Sequence, residues 1–326
     1  MKVGIIGGGA WGTALAQVAA SGGDETMIWA LEPEVVAAIN QTHENAIFLK
    51  GLSLDPAIRA TGDLSDLGDC AVLLVVTPAQ HLRFVLGRLP AAGRPLVLCA
   101  KGIEAGTGLL MHEVARAAQP DCPVAVLSGP TFAHEVAAGL PTAVTLAAAD
   151  RALGERLIAR IARPAFRPYY SDDVAGAEVG GAVKNVLAIA CGVVEGRGLG
   201  LNARAALISR GFAEMTRFGL AKGARSETLA GLAGLGDLVL TCSSTSSRNF
   251  SLGKGIGEGA DPASLLADRR TIAEGAFTAP VLRDAAAELG VDMPIVDAVC
   301  ALLEGEVSVD EVVGRLLARP LRREGV

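Results

Sequence analysis

The chain has 326 residues, 51% of them hydrophobic and only 4% aromatic, with 29 Lys and Arg against 35 Asp and Glu for a net charge of -6. An acidic chain with no long basic run is not built to neutralise a nucleic-acid backbone. Its apolar runs, such as Ala71 to Val76, fall far short of the roughly 20 residues that a bilayer span requires, and its length gives room for two domains.

The opening Met1-Lys2-Val3-Gly4-Ile5-Ile6 reads as a strand and leaves no room for an export signal. Further short apolar runs at 26–30, 71–76, 96–100, 124–127 and 143–147 are each about one strand long. Between them lie stretches of helical length: Ala10 to Ser21, Glu34 to Asn40, Gln80 to Leu89 and Thr107 to Ala118. This alternation predicts βαβ units, an α/β fold of the Rossmann type with a doubly wound parallel sheet. After Arg167-Pro168-Tyr169-Tyr170 helical segments follow one another, and a second, all-helical domain is expected. The domains are placed at 1–175 and 176–326. Six cysteines without a CxxC pair read as reduced core residues of a cytoplasmic protein. The four histidines form no metal-ligand spacing, and no metal is expected.

The first strand runs into Gly7-Gly8-Gly9-Ala10-Trp11-Gly12, a GxGxxG turn opening a small-residue helix. Gly7 permits the tight turn, Gly9 lets a pyrophosphate approach the backbone, and Gly12 lets the helix lie against the strand, with phosphates at the helix N-terminus. This predicts dinucleotide binding. Glu32, after the second strand, stands where an acid bonds the adenosine ribose, which favours NAD over NADP. Lys101 follows a buried strand and Ser128-Gly129-Pro130-Thr131-Phe132 follows another, both at the sheet edge where ligands bind; the plain alternative for Lys101 is a surface lysine.

Lys184 stands out in Gly180-Gly181-Ala182-Val183-Lys184-Asn185-Val186-Leu187, a segment apolar on nearly every helical face. Its helical neighbours are small or apolar and do not neutralise it, so it is the first candidate for general acid and base. The alternative is a lysine reaching the surface from a helix end. Asp237, in Gly234-Leu235-Gly236-Asp237, is read either as orienting a substrate hydroxyl or the lysine, or as a helix cap. Ser247-Arg248-Asn249 after a hydroxyl-rich run offers phosphate-site donors, or else a flexible serine-rich loop.

Taken together these residues resemble the bacterial-type NAD(P)-dependent glycerol-3-phosphate dehydrogenases. The resemblance rests on Gly7 to Gly12, Asn45-Ala46-Ile47-Phe48-Leu49, Lys101-Gly102, Ser128 to Phe132, Gly180 to Val186, Asn202 to Glu214, Ala233 to Cys242, Ser247-Arg248-Asn249 and Glu274-Gly275. It implies a Rossmann domain followed by a helical one, and reversible reduction of dihydroxyacetone phosphate to sn-glycerol 3-phosphate, the entry to phospholipid synthesis. By the same matching Lys184 is the proton acceptor. Lys101, Gly129, Thr131, Lys184, Asp237, Ser247, Arg248 and Asn249 bind substrate. Ala10, Trp11, Lys101, Ala133, Arg248, Ile272 and Glu274 join the glycines in contacting NAD or NADP. A homodimer is expected from the family. Two departures stand out: Ala10 replaces a common serine, and Ala30-Leu31-Glu32 stands where many members carry a His or Arg suited to a 2′-phosphate. Competing functional classes are a dehydrogenase of a carboxylated hydroxy acid and a non-catalytic nicotinamide sensor.

Overall fold

The computed structural model describes residues 2–90, 92–267 and 273–320. Two compact units emerge: Met1–Lys101 with Met111–Val174, and Gly102–Leu110 with Ala175–Val326.

Among its described residues the first unit holds ten strands: β1 (Lys2–Ile6), β2 (Glu25–Trp29), β3 (Glu44–Asn45), β4 (Leu49–Ser53), β5 (Ile58–Thr61), β6 (Val72–Val75), β7 (Leu96–Leu98), β8 (Val124–Ser128), β9 (Thr142–Ala147) and β10 (Phe166–Ser171). Eight of them form one sheet in the order β10-β9-β8-β7-β6-β1-β2-β5, while β3 and β4 make a separate antiparallel hairpin. From β5 to β8 every pairing is parallel. Ile5, Leu15, Ile28, Ile58, Leu74, Val97 and Leu127 are among the buried residues between sheet and helices, each contributing about 1.5–3 kcal/mol by leaving water.

The sheet is not wholly parallel, because β9 meets β8 antiparallel and β10 follows β9 in that reversed sense. Connection length explains the reversal. A parallel crossover must carry the chain back along the strand, but the only helix between β8 and β9, Ala133–Ala137, has five residues, a rise of about 7.5 Å against about 17 Å of strand. The chain therefore re-enters from the edge it left. Between β9 and β10 the eleven-residue helix Arg151–Ile161 rises about 16 Å, enough to restore a parallel pair. β10 is a strand that the sequence pattern does not reveal, because Pro168 lies inside it; the run survives because it is an edge strand with one neighbour.

Among its described residues the second unit has no strand and is built around the 23-residue helix Val174–Gly196. That helix corrects the expectation that no apolar run is long enough for a bilayer: by length and composition it qualifies, yet 94% of its most apolar stretch is buried inside the protein. Glycines let it be so enclosed. A Cβ on Gly192 would sit 2.1 Å from the Phe250 carbonyl oxygen and one on Gly196 2.1 Å from that of Lys254. Reciprocally, a Cβ on Gly253 would meet the Ile189 oxygen at 1.9 Å, and on Gly257 the Val193 oxygen at 2.4 Å. Two Gly-xxx-Gly faces thus bring this helix and the helix Arg248–Gly257 into backbone contact, as small-xxx-small pairs do elsewhere. The helices Gly200–Ala221, Glu274–Glu288 and Pro294–Leu303 supply further buried residues, including Met215, Phe218, Leu282 and Val299.

Candidate active site

In the first unit the chain leaves β1 through a turn in which each glycine has a separate physical need. Gly7 has φ +127°, a conformation that side chains disfavour, and Gly12 packs so closely that a Cβ there would lie 1.9 Å from the Gly7 carbonyl oxygen. Gly9 is the opposite case: its φ is -70° and a Cβ would find nothing within 4 Å. That open face, in front of a helix (Ala10–Ala20) whose first turn has no side-chain cap, is a cradle for an anion. The residues present therefore fit a dinucleotide pyrophosphate. Ala10 and Trp11 begin the helix, and the helix carrying Ala133 packs against it.

At the carboxyl edge of the sheet Lys101 donates to the Gly129 carbonyl at 3.4 Å, an oxygen that also accepts from Thr131 Oγ1 at 3.4 Å. Gly129 has φ +156°, and a Cβ on it would strike Val144 at 2.9 Å. Lys101, Gly129 and Thr131 are thus one cluster. Beside it, Thr77 Oγ1 and Ser128 Oγ are buried past the end of β6 and at the end of β8 without a partner among the described residues. Glu32 is the N-cap of the helix Pro33–Thr42, but its carboxylate makes no capping bond.

In the second unit Lys184 is 6% exposed, and it is not unneutralised as its helical neighbours imply. Its ammonium donates to Asp237 Oδ1 at 2.5 Å and to Thr241 Oγ1 at 3.0 Å, while Thr241 donates to the Asp237 carbonyl at 2.7 Å. The counter-charge comes from 53 residues downstream. Gly180, one turn before Lys184, makes the meeting possible: a Cβ there would sit 2.2 Å from the Ala233 carbonyl oxygen. The long helix thereby lies directly on the π-helical turn Leu232–Gly236, which delivers Asp237 at the start of the helix Asp237–Thr241. Cys242 follows, its thiol pushed well above the ordinary range by a hydrogen bond with Cys191 and by burial. It stays protonated and is no nucleophile.

Next to Lys184, Asn185 accepts from Asn249 Nδ2 at 3.1 Å, and Asn249 Oδ1 accepts from the Gly275 N–H at 2.8 Å. Gly275 is glycine because a Cβ would lie 2.5 Å from the Asn185 carbonyl oxygen. This network holds the start of the helix Glu274–Glu288, and with it Glu274, against the start of the helix Arg248–Gly257. Ser247 is the N-cap of the latter, its oxygen accepting from the Phe250 N–H at 3.2 Å, so Ser247-Arg248-Asn249 is an ordered helix start. Arg248 is exposed at that end. Ile272 lies outside the described residues.

Two polar residues are given no individual role by sequence reasoning. Asn45, 1% exposed, donates to the Gly8 carbonyl and to Thr13 Oγ1, both at 2.8 Å. Glu214, 2% exposed, accepts from the Ile295 and Val296 N–H groups at 2.8 and 3.3 Å, capping the helix Pro294–Leu303 from another helix. Burial pushes its carboxyl up to about 7 against the pull of those two N–H groups. A buried carboxyl in a helical segment was the available signal for Glu214; nothing local marks Asn45.

Comparison with known proteins agrees with this geometry. Residues 2–154 match the family model for the N-terminus of NAD-dependent glycerol-3-phosphate dehydrogenase, and residues 173–314 match that for its C-terminus. The glycerol-3-phosphate dehydrogenases [NAD(P)+] of Erythrobacter litoralis and Novosphingobium aromaticivorans are each 66% identical to the chain, over 99% of it and 98% of their own lengths. The crystal structure of glycerol-3-phosphate dehydrogenase from Coxiella burnetii superposes with a TM-score of 0.93 at 37% identity, covering 98% of this chain and 99% of that one. With both halves matched in order and over almost its full length, the chain belongs to the NAD-dependent glycerol-3-phosphate dehydrogenase family.

Proposed function

We propose that the protein catalyses reversible NAD(P)H-dependent reduction of dihydroxyacetone phosphate to sn-glycerol 3-phosphate, with Lys184 exchanging the proton. The observation that carries this reading is the buried Lys184–Asp237 pair at 2.5 Å. A desolvated ammonium bonded to a carboxylate and a hydroxyl is a placed proton donor, and family membership supplies the reaction class. The first unit acts as the dinucleotide-binding domain through Gly7, Gly9, Ala10, Trp11 and Gly12, and the second as the substrate domain.

Bound NAD(P)H supplies the hydride. Lys184 gives its proton to the substrate oxygen as negative charge develops there, and in the oxidative direction its neutral amine takes the proton back. Asp237 fixes the ammonium in one orientation and balances its charge, while Thr241 holds both, so little reorganisation remains for the reaction itself. Arg248, Ser247 and Asn249 bind the phosphate at the start of their helix, where a guanidinium and helix N–H groups converge on an anion. In the first unit Lys101 and Thr131 present polar groups at the sheet edge, and this reading gives Lys101, Ala133, Arg248, Ile272 and Glu274 as the remaining cofactor contacts. The Glu32 carboxylate, uncommitted to capping, supports NAD over NADP, since it accepts from ribose hydroxyls and repels a 2′-phosphate. A homodimer in the cytoplasm completes the proposal, supported by the family and by six buried free thiols; light scattering tests the dimer.

The experiment is oxidation of NADH on adding dihydroxyacetone phosphate, with an unphosphorylated ketone as control. Turnover with the phosphate ester alone is expected, and Lys184→Ala lowers kcat by about two or more orders of magnitude while NADH affinity holds. Equal turnover of both ketones, or near-normal kcat in Lys184→Ala, overturns the reading.

A further inference from the structure

We propose that Asn45 is a positioning residue for the cofactor: through Thr13 it locks the glycine turn with its amide N–H groups facing outward, toward the pyrophosphate. The inference rests on the reading that this turn holds NAD(P).

The bonds form a chain with one allowed direction. Asn45 lies at the end of β3, where its Oδ1 accepts from the Phe48 N–H at 3.2 Å. That donor fixes which end of the amide is oxygen, so the Nδ2 end faces Gly8 and Thr13. One of its hydrogens goes to the Gly8 carbonyl and the other to Thr13 Oγ1, each at 2.8 Å. Because Thr13 Oγ1 accepts from Asn45, its single proton goes to a carbonyl of the turn, that of Gly9 at 3.0 Å in preference to that of Gly8 at 3.5 Å. Thr13 is fully buried, and its bond from Asn45 lies in the interior, while the Gly9 carbonyl that it holds is half-buried.

Two consecutive carbonyls of the turn are thus held, that of Gly8 by Asn45 and that of Gly9 by both the Thr13 hydroxyl and the Thr13 N–H, each at 3.0 Å. A trans peptide is planar, with its C=O and N–H pointing in opposite directions. Fixing the Gly8 oxygen orients the Gly9 N–H, and fixing the Gly9 oxygen orients the Ala10 N–H. Each N–H then points opposite to its held carbonyl, and beside them a Gly9 Cβ would meet nothing within 4 Å. Glycine gives this turn its shape, but glycine peptides also rotate readily. The hairpin β3–β4 adds a restraint on the Gly8 carbonyl, through one side chain 37 residues away. Preorganised donors bind an anion without first being ordered.

The test is fluorescence titration of NADH, with ADP-ribose as a competing probe that keeps the pyrophosphate and lacks nicotinamide. Asn45→Ala and Thr13→Val each weaken both ligands about tenfold, Thr13→Ser stays within about threefold of wild type, and the double variant is little worse than either single one, because both break one chain. In turnover the KM for NADH rises while kcat and the KM for dihydroxyacetone phosphate hold. Thr13→Val leaves the Asn45 bonds to Gly8 and Phe48 in place, so the proposal is testable even if Asn45→Ala folds poorly. Unchanged NADH and ADP-ribose affinity in Thr13→Val overturns it, as does a lowered Tm in Asn45→Ala with normal binding, which leaves Asn45 a hairpin residue only. Gly9→Val separates the underlying reading: its Cβ would meet nothing within 4 Å and its φ of -70° suits a side chain, so the added bulk obstructs the cradle, with an unchanged Tm as the control for folding. Normal NADH binding by Gly9→Val refutes the cofactor turn itself; lost binding there with normal binding in Thr13→Val refutes only the role of Asn45.

Discussion

The Lys184–Asp237 pair predicts a strong coupling that unfolding measurements can isolate. Lys184→Met takes from a carboxylate with 0% exposure the ammonium bonded to it at 2.5 Å, and Asp237→Asn leaves the buried Lys184 ammonium facing a neutral amide in place of that carboxylate. Breaking a buried pair from one side costs about 3–5 kcal/mol, because a desolvated charge is stranded. At the observed 2.5 Å the attraction is about 7 kcal/mol at an effective dielectric constant of 20, much of it offset by the desolvation of both ions. The double variant strands neither charge, so its destabilisation falls short of the sum of the single ones by at least about 2 kcal/mol. Urea unfolding at pH 7 is followed by circular dichroism at 222 nm, since both tryptophans, Trp11 and Trp29, lie in the other unit. Additivity to within about 0.5 kcal/mol refutes the claim that the two residues neutralise one another.

Glu214 makes stability pH-dependent in a defined sense. Its folded carboxyl titrates near 7 against an ordinary value of 4.5, so the folded state binds the extra proton between those values; the contribution is full below about pH 4.5 and is lost as pH rises through about 7. Glu214→Gln removes about 3 kcal/mol of that slope, and a difference in unfolding free energy between variant and wild type that is constant from pH 4.5 to 8 contradicts the assignment. Gly253→Ala forces a methyl to 1.9 Å from the Ile189 oxygen and lowers stability by about 1–3 kcal/mol. Gly314→Ala, in the helix Val309–Leu317 with open space around it, raises stability by up to about 1 kcal/mol; urea midpoints of the two moving together reject this packing account. Leu31→Arg, at a side chain 76% exposed beside Glu32, offers a 2′-phosphate a cation and shifts the NADPH-to-NADH ratio of kcat/KM upward at least tenfold. An unchanged ratio removes that position from cofactor selection.

Legibility in the sequence followed the range of the interactions. Gly7, Gly9 and Gly12 could be assigned separate duties because each answers to a constraint within six residues. Lys184 could be singled out because a cation in an apolar helix is anomalous wherever its partner lies. Its partner could not be fixed, since Asp237 reaches it only through the approach of Gly180 to Ala233, a tertiary contact with no periodic trace. Asn45 sits in a two-residue strand, too short for any pattern. β10 was hidden by Pro168, which argues against a strand everywhere except at an edge. The reversal of β9 is a matter of helix length, and the five residues Ala133–Ala137 are too few for sequence periodicity to measure. Ser247 and Asn249 were recognised as polar groups at a helix start, while their structural bonds to Phe250, Asn185 and Gly275 depend on where other helices lie.

The division of the chain also sets a timetable. The second unit borrows Gly102–Leu110 from the middle of the first, including Ile103 and Leu110, which belong to its buried core. On a ribosome those nine residues emerge before residues 111–174, so at roughly 5–20 residues per second they wait several seconds for the first helix of the core that they complete. A fragment beginning at Ala175 never receives them and starts life with two apolar vacancies. The two units are therefore tied to a single order of assembly in time.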